Sequence, residues 1–217
     1  MNTKDWTAGE HKLTAEYAGN NELGGSTTTE VTVTVNEVYA VYDGSKFCVA
    51  TAESPKVPTA TEITDKKTIN HLYIMGESVP DKLMGEYDNL CLNLKTVTCA
   101  DTVTTISDFA FANCTGLASV EMPSATTIGK EAFSDCSALA SVEMPKVTSI
   151  GDSAFWGCTI LASLTLGATP PTVVTDPFYG CSTSTLTIQG NTAYTTEVLA
   201  DYKAAADGNI TDNLWYG

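Results

Sequence analysis

Three passages of the chain repeat one order of apolar and polar positions at a fixed step. Ile106, Ile128 and Ile150 lie 22 residues apart, as do Phe111, Phe133 and Phe155, and Leu117, Leu139 and Leu161. Each passage closes on Ser-Val-Glu-Met or Ser-Leu-Thr-Leu. That alternation sends Val120, Met122, Val142, Met144, Leu164 and Leu166 to one face and the Ser, Glu and Thr between them to the other. It predicts a short strand. The Ala-Phe-x-x-Cys in the middle of each passage is too brief for an ordinary helix and predicts one helical or 3₁₀ turn. A strand and a turn cannot bury an apolar face alone, so the units must stack, strand parallel on strand, into a solenoid.

The pattern continues weakly in both directions. Asp176-Pro177-Phe178-Tyr179-Gly180-Cys181, followed by Leu186 and Ile188, reads as a fourth unit displaced by one residue. Upstream, Cys91, Leu94, Val97 and Cys99 stand 23 positions before Cys114, Leu117, Val120 and Met122, without a Phe where the stack would place one. Leu72-Tyr73-Ile74 supplies an earlier strand. A step of 22 falls within the roughly 20 to 29 residues of leucine-rich repeats. The expected fold is therefore an α/β leucine-rich repeat solenoid, β-rich, with short parallel strands and brief turns.

The run Ile-Gly-x-x-Ala-Phe-x-x-Cys-x-x-Leu-x-x-Val-x-Met-Pro at residues 128–145, nearly repeated at 106–123 and 150–167, resembles the BspA-like leucine-rich repeat of bacterial surface proteins. The resemblance covers roughly residues 69–190. Tyr202-Lys203-Ala204-Ala205 and Leu214-Trp215 resemble the segment that closes such arrays, which makes 191–217 a C-terminal cap. The family implies a surface-exposed adhesin or host-contact module and names no ligand.

The two N-terminal stretches differ from the array. In residues 1–36, Leu13, Ala15 and Tyr17 alternate with polar residues, a turn region begins at Gly19, and Val31, Val33 and Val35 alternate with Thr32 and Thr34. Two strands joined by a long loop are expected. The stretch resembles the last strands of a bacterial Ig-like domain, too few to close a sandwich of about 100 residues. Residues 37–68 hold Val38-Tyr39-Ala40-Val41-Tyr42 and Phe47-Cys48-Val49-Ala50 around Asp43-Gly44, a β-hairpin placed to cover the first open coil.

Composition narrows the chemistry. All 11 basic residues are Lys, and the formal charge is −15. Counterion release and forked phosphate contacts have no source here, so nucleic acid and anionic membrane are poor partners and no membrane insertion is expected. No run of about 18 apolar residues is present, and Met1-Asn2-Thr3-Lys4-Asp5 is no signal peptide. Either a leader has been removed or the chain stays inside; the family resemblance favours export to the cell surface or medium.

Five of the seven Cys, Cys91, Cys114, Cys136, Cys158 and Cys181, share one repeat position. Metal sites want Cys or His paired at short spacing, and none occurs; His11 and His71 fall outside the column. Stacked coils bring the Cα atoms within reach of a disulfide, but their Cβ vectors run parallel where a bridge needs convergence. Buried free thiols are expected. Two scattered His and no phosphate loop, His-Glu-x-x-His or calcium-loop spacing leave no catalytic constellation and no cofactor.

Binding chemistry is expected in the columns of outward residues. One strand column reads Thr98, Glu121, Glu143, Thr165, Thr187 and the next Thr96, Ser119, Ser141, Ser163, Thr185. Glu121 and Glu143 face the same way about 5 Å apart, a like-charge pair that water, a cation or a basic partner must relieve. After the core Phe the repeat places Ala112, Ser134, Trp156 and Tyr179, so Trp156 and Tyr179 form a second candidate, an exposed aromatic pair. A non-enzymatic module that contacts a host or partner protein follows. The alternatives are a carbohydrate-contacting accessory module with Trp156 and Tyr179 as its platform, and a structural spacer.

Overall fold

The computed structural model describes residues 9–17, 27–35, 37–85, 91–181, 185–188 and 214–216. The chain divides into two compact units, Met1–Glu37 and Val38–Gly217. In the first, β1 (Gly9–Tyr17) and β2 (Thr27–Val35) form an antiparallel pair running from Gly9 opposite Val35 to Tyr17 opposite Thr27.

The second unit is a β-solenoid. It begins with a hairpin, β3 (Tyr39–Tyr42) and β4 (Phe47–Ala50). The Asp43 carboxylate closes the turn by accepting from the Ser45 and Lys46 N–H groups. The only helix among the described residues is one 3₁₀ turn at Lys66–Thr68. Each coil then gives a longer strand to one face: β5 (His71–Ile74), β7 (Thr96–Cys99), β9 (Ser119–Glu121), β11 (Ser141–Met144), β13 (Ser163–Leu166) and β15 (Thr185–Ile188). The first five also give a two-residue strand to another face: β6 (Ser78–Val79), β8 (Thr105–Ile106), β10 (Thr127–Ile128), β12 (Ser149–Ile150) and β14 (Thr172–Val173). A last strand, β16 (Leu214–Tyr216), lies parallel to β15. The segment 202–205, expected in the cap, lies outside the described residues.

The short strands form one unbroken parallel sheet from β6 to β14. The long strands do not. They form a sheet β4-β3-β5-β7-β9 and a second, β11-β13-β15-β16, so the continuous ladder expected from the repeat is interrupted between β9 and β11. Those are the strands that carry Glu121 and Glu143. Like charges on adjacent strands oppose close pairing, whereas the Thr column of β13 and β15 pairs in full register.

The core is made of columns. Phe111, Phe133, Phe155 and Phe178 stack with ring centroids 5.4, 5.2 and 5.5 Å apart and planes within 16° of parallel. All four are buried, as are Ile106, Ile128 and Ile150 and Leu117, Leu139 and Leu161. Met84 fills the Phe slot of the coil before Phe111: its N–H donates to Ala110 O as the Phe111 N–H donates to Ala132 O. The 27-residue step from Met84 to Phe111 hides this from a search at 22.

The turns after each short strand are built from i to i+3 bonds, such as Ala112 N–H to Phe109 O and Cys114 N–H to Phe111 O. Every second N–H leaves the turn for the next coil: Phe109 donates to Lys130 O, Phe111 to Ala132 O and Asn113 to Ser134 O, each at 2.8 Å. This geometry demands left-handed backbone at two columns. One holds Lys82, Phe109, Glu131, Ser153 and Asp176, the other Asn113, Asp135, Gly157 and Gly180, with φ between 46° and 75°. The second column holds only Asn, Asp and Gly, the residues that tolerate this backbone best, whereas the first holds Lys, Phe, Glu and Ser as well as Asp. The Gly129 and Gly151 of the Ile-Gly motif answer a different need, because a Cβ on Gly151 would lie 2.7 Å from the Gly129 carbonyl carbon.

All seven Cys are free thiols and buried. The repeated Cys does more than fill space. The thiols of Cys136, Cys158 and Cys181 donate to the carbonyls of Phe111, Phe133 and Phe155, one coil back, at 3.1 to 3.2 Å. Burial pushes the Cys99 thiol up from its ordinary 9.0 to about 12 and raises Cys136 as well.

Phe133→Ala should therefore cost about 3–5 kcal/mol, since both flanking rings lose a partner and a cavity opens between coils. A chemical melt with an unchanged midpoint would contradict the stacked core. The native chain should leave a thiol reagent unreacted, and denaturant without reductant should release seven thiols. A thiol neutral in the fold but ionised when unfolded stabilises the fold fully below its unfolded pKa and progressively less above it. The unfolding midpoint should accordingly fall as pH rises from 9.0 toward about 12, and less steeply in Cys99→Ala.

Candidate functional site

Strand alternation decides which side chains leave the core. In β7, Val97 and Cys99 point inward, so Thr96 and Thr98 point out; β9, β11 and β13 repeat the pattern. Register then aligns the outward residues. Tyr39 lies beside His71, His71 beside Thr96 and Thr96 beside Ser119. In the neighbouring column Tyr73 lies beside Thr98 and Thr98 beside Glu121.

A groove of about 580 Å³ opens on this face where the ladder is interrupted. Thr98, Ser119, Glu121, Ser141 and Glu143 line it, together with Asp101 and Lys56. Thr98 Oγ donates to Glu121 Oε2 at 3.5 Å. Four of the residues singled out from sequence, Ser119, Ser141, Glu121 and Glu143, thus share one site. Ser163 and Thr165 continue the columns on β13 and do not line the groove.

Trp156 and Tyr179 lie on the turn column instead, 42% and 44% exposed. Trp156 borders a separate cavity of about 270 Å³ with Glu131 and Ser153, which Tyr179 does not line. Beside it, Lys130 pairs with Asp152 at 3.3 Å and with Glu131 at 3.6 Å. The Asp152 bond and charge, then Glu131, hold the Lys130 ammonium above its ordinary pKa.

Sequence reasoning missed an aromatic shoulder adjoining the groove. Tyr39, Pro55, Lys56, His71, Tyr73 and Thr96 line a recess of about 160 Å³ that shares Lys56 and Thr98 with the groove. Tyr39 stacks on His71 with centroids 4.4 Å apart. His71 Nδ1 lies 2.8 Å from Thr96 Oγ. Lys56 Nζ sits over the Tyr73 ring, 5.3 Å from its centre. The signal was available: Leu72 and Ile74 face the core, which turns His71 and Tyr73 outward in the columns that lead to Ser119 and Glu121.

The arrangement suits binding. Hydroxyls, carboxylates and ring faces are set at fixed spacing on a rigid sheet, and the thiols lie in the core. Among the described residues no group of three or more His, Cys, Asp or Glu is placed to hold a metal, and no helix is long and apolar enough to cross a membrane.

Residues 85–202 match the BspA type leucine rich repeat region in six copies. The fold is also that of a leucine-rich repeat protein from Bacteroides ovatus, with a TM-score of 0.54 and 19% identity. That match covers 71% of this chain and 38% of the Bacteroides chain, so the chain spans well under half the length of its structural relative. No curated protein matches.

If carboxylate repulsion keeps β9 and β11 apart, Glu143→Thr, which restores the residue type that β13 carries at this position, should stabilise the chain by about 0.2–1 kcal/mol at low salt. The gain should fade near 1 M salt, where the screening length is about 3 Å. Denaturant melts at both ionic strengths check this; a loss of stability at low salt would reject repulsion as the cause.

Proposed function

The chain belongs to the BspA-type leucine-rich repeat family, and from that premise we propose that it is a non-enzymatic adhesion module of a cell-surface or secreted bacterial protein. Its long-strand face contacts a host extracellular protein or another protein partner. The observation that carries this reading is the groove between β9 and β11, where Ser119, Glu121, Ser141 and Glu143 gather on a face otherwise occupied by paired strands. A solenoid is suited to such a role because its backbone is fixed by coil-to-coil bonds, so little ordering entropy is lost on binding. The β1–β2 pair fits the end of a preceding Ig-like domain in a longer surface protein.

A carbohydrate-contacting role is the second reading. It is favoured by the exposed Trp156 beside its cavity with Glu131 and Ser153, since an open indole face next to hydrogen-bonding groups is suited to a sugar ring.

Purified extracellular proteins and a glycan array, probed with the intact chain, separate the readings. A protein should be bound, and Ser141→Arg, which fills the groove with a bulky cation, should weaken it at least tenfold while Trp156→Ala leaves it unchanged. Glycan binding abolished by Trp156→Ala would replace the protein reading with the carbohydrate one, and binding to neither class would leave a spacer.

A further inference from the structure

The groove and its aromatic shoulder carry a more specific commitment about partner chemistry, one that rests on the protein-binding reading and narrows it. We propose that the groove receives an extended segment of a partner protein bearing Lys or Arg side chains about three residues apart, and that Lys56 occupies the first cation position while the site is free.

Charge complementarity is the first argument. Three carboxylates, Asp101, Glu121 and Glu143, line the groove against one ammonium, Lys56, in a chain of net charge −15. Glu121 and Glu143 stand on strands that do not pair, and a cation between them would neutralise the repulsion that the like charges create.

Lys56 is the second and independent argument. It belongs to a loop, residues 51–62, that is exposed throughout and crosses to the shoulder from the end of β4. Around Lys56 the loop's backbone bonds are its own, Ser54 N–H to Thr51 O and Val57 N–H to Ser54 O, at 3.2 Å each. From there the side chain reaches the sheet and rests its ammonium on Tyr73. The protein thereby shows which chemistry the shoulder accepts: a primary ammonium on a tyrosine face, with the rest of the groove left open to solvent. A guanidinium would sit there equally well, stacked on the ring.

Register gives the spacing. Tyr73, Thr98 and Glu121 stand on consecutive strands, so the Tyr73 and Glu121 positions are two inter-strand steps apart, about 10 Å. A segment in the extended polyproline II conformation has three residues per turn and advances about 3.1 Å per residue, so along the solenoid axis it presents cations at i and i+3 on one side, about 9 Å apart, and bridges the two positions. Thr98, between them, is left to hydrogen-bond the segment's backbone.

The probes are dodecapeptides of equal charge, one with lysines at every third position and one with the same lysines in a single block. An acidic dodecapeptide and cellohexaose serve as the other arms. Binding to the intact chain is followed by fluorescence anisotropy at two salt concentrations. The spaced peptide should bind at least tenfold tighter than the blocked one and weaken at high salt. Glu121→Gln with Glu143→Gln should cost at least tenfold. Lys56→Ala should tighten binding several-fold by vacating Tyr73. Glu77→Gln with Asp176→Asn, which removes two exposed carboxylates outside the groove lining, should change it less than twofold. All variants should melt within a few degrees of the parent.

Equal losses from the two double variants would overturn the proposal, because the attraction would then belong to net charge alone. So would weaker binding in Lys56→Ala, or cellohexaose binding lost in Glu121→Gln with Glu143→Gln. A protein ligand lost in Ser141→Arg but unaffected in Glu121→Gln with Glu143→Gln would overturn this inference and leave the protein-binding reading standing.

Discussion

Coil must lie on coil at one height, and this constraint governs the second unit. Strand pairing sets a spacing of about 4.8 Å, and parallel aromatic rings in contact tolerate little more. The observed ring separations of 5.2 to 5.5 Å lie just above the strand spacing and within the roughly 4.5 to 7 Å of aromatic contact. A residue inserted between a short strand and its Phe would move Phe out of the column; the coil that leads to β14 is one residue longer but carries the extra residue ahead of that strand, so Val173 still pairs with Ile150 and Phe178 still stacks on Phe155. That is why the 22-residue step is so strict where the three clear units meet. Between Met84 and Cys91 the chain has four residues more than between Phe111 and Cys114, and the columns on either side of them are undisturbed.

Much of this was legible because one side chain per column carries one physical role. Ile, Phe, Leu and the alternating Val and Met name their own positions, and period-two alternation names the outward residues with equal clarity. What the repeat concealed were roles that different residue types can fill. Met84 replaces Phe with a flexible apolar chain and so escapes a search for identity. The second left-handed column is met by Asn113 and Asp135 in two coils and by Gly157 and Gly180 in the next two, each standing immediately before the repeated Cys. Once the backbone requirement is known, the four residues form a single class. The Cys column looked like packing alone, since a thiol's weak hydrogen bond to a carbonyl leaves no trace in hydrophobic patterning.

The candidate site lies where two of these demands conflict. On the long-strand face, close pairing would bring outward residues of neighbouring strands together, which suits Thr beside Thr and Ser beside Ser. Glu beside Glu is another matter, and at that step the pairing gives way while the short-strand sheet continues unbroken. The short strands, the Phe stack and the turn-to-turn bonds hold the two coils together, so the seam opens on one side only. Sequence reasoning recognised the charge pair but treated the ladder as indifferent to it. Its reading of the columns also began at Thr96 and Thr98, one strand too late to include His71 and Tyr73, because the first coils depart from the 22-residue step.

A pair of this kind costs stability in the free protein, and the fold has an obvious means of avoiding it. Thr165 occupies the same position in the next coil and leaves β13 fully paired with both neighbours. Two consecutive coils carry Glu instead. The surface also involves more than the carboxylates: in the recess adjoining the groove, Tyr39 and Tyr73 come from the hairpin and the first coil, and Lys56 from a loop outside the repeat, so three separate parts of the unit converge on one stretch of surface. Packing of the solenoid requires none of that convergence, since the core columns pass beneath it unchanged. A surface whose local cost is offset inside the chain only by the long Thr98 bond to Glu121 is accounted for when further relief comes from outside the chain, and a partner's cation between Glu121 and Glu143 supplies that relief at the point where the pairing is open.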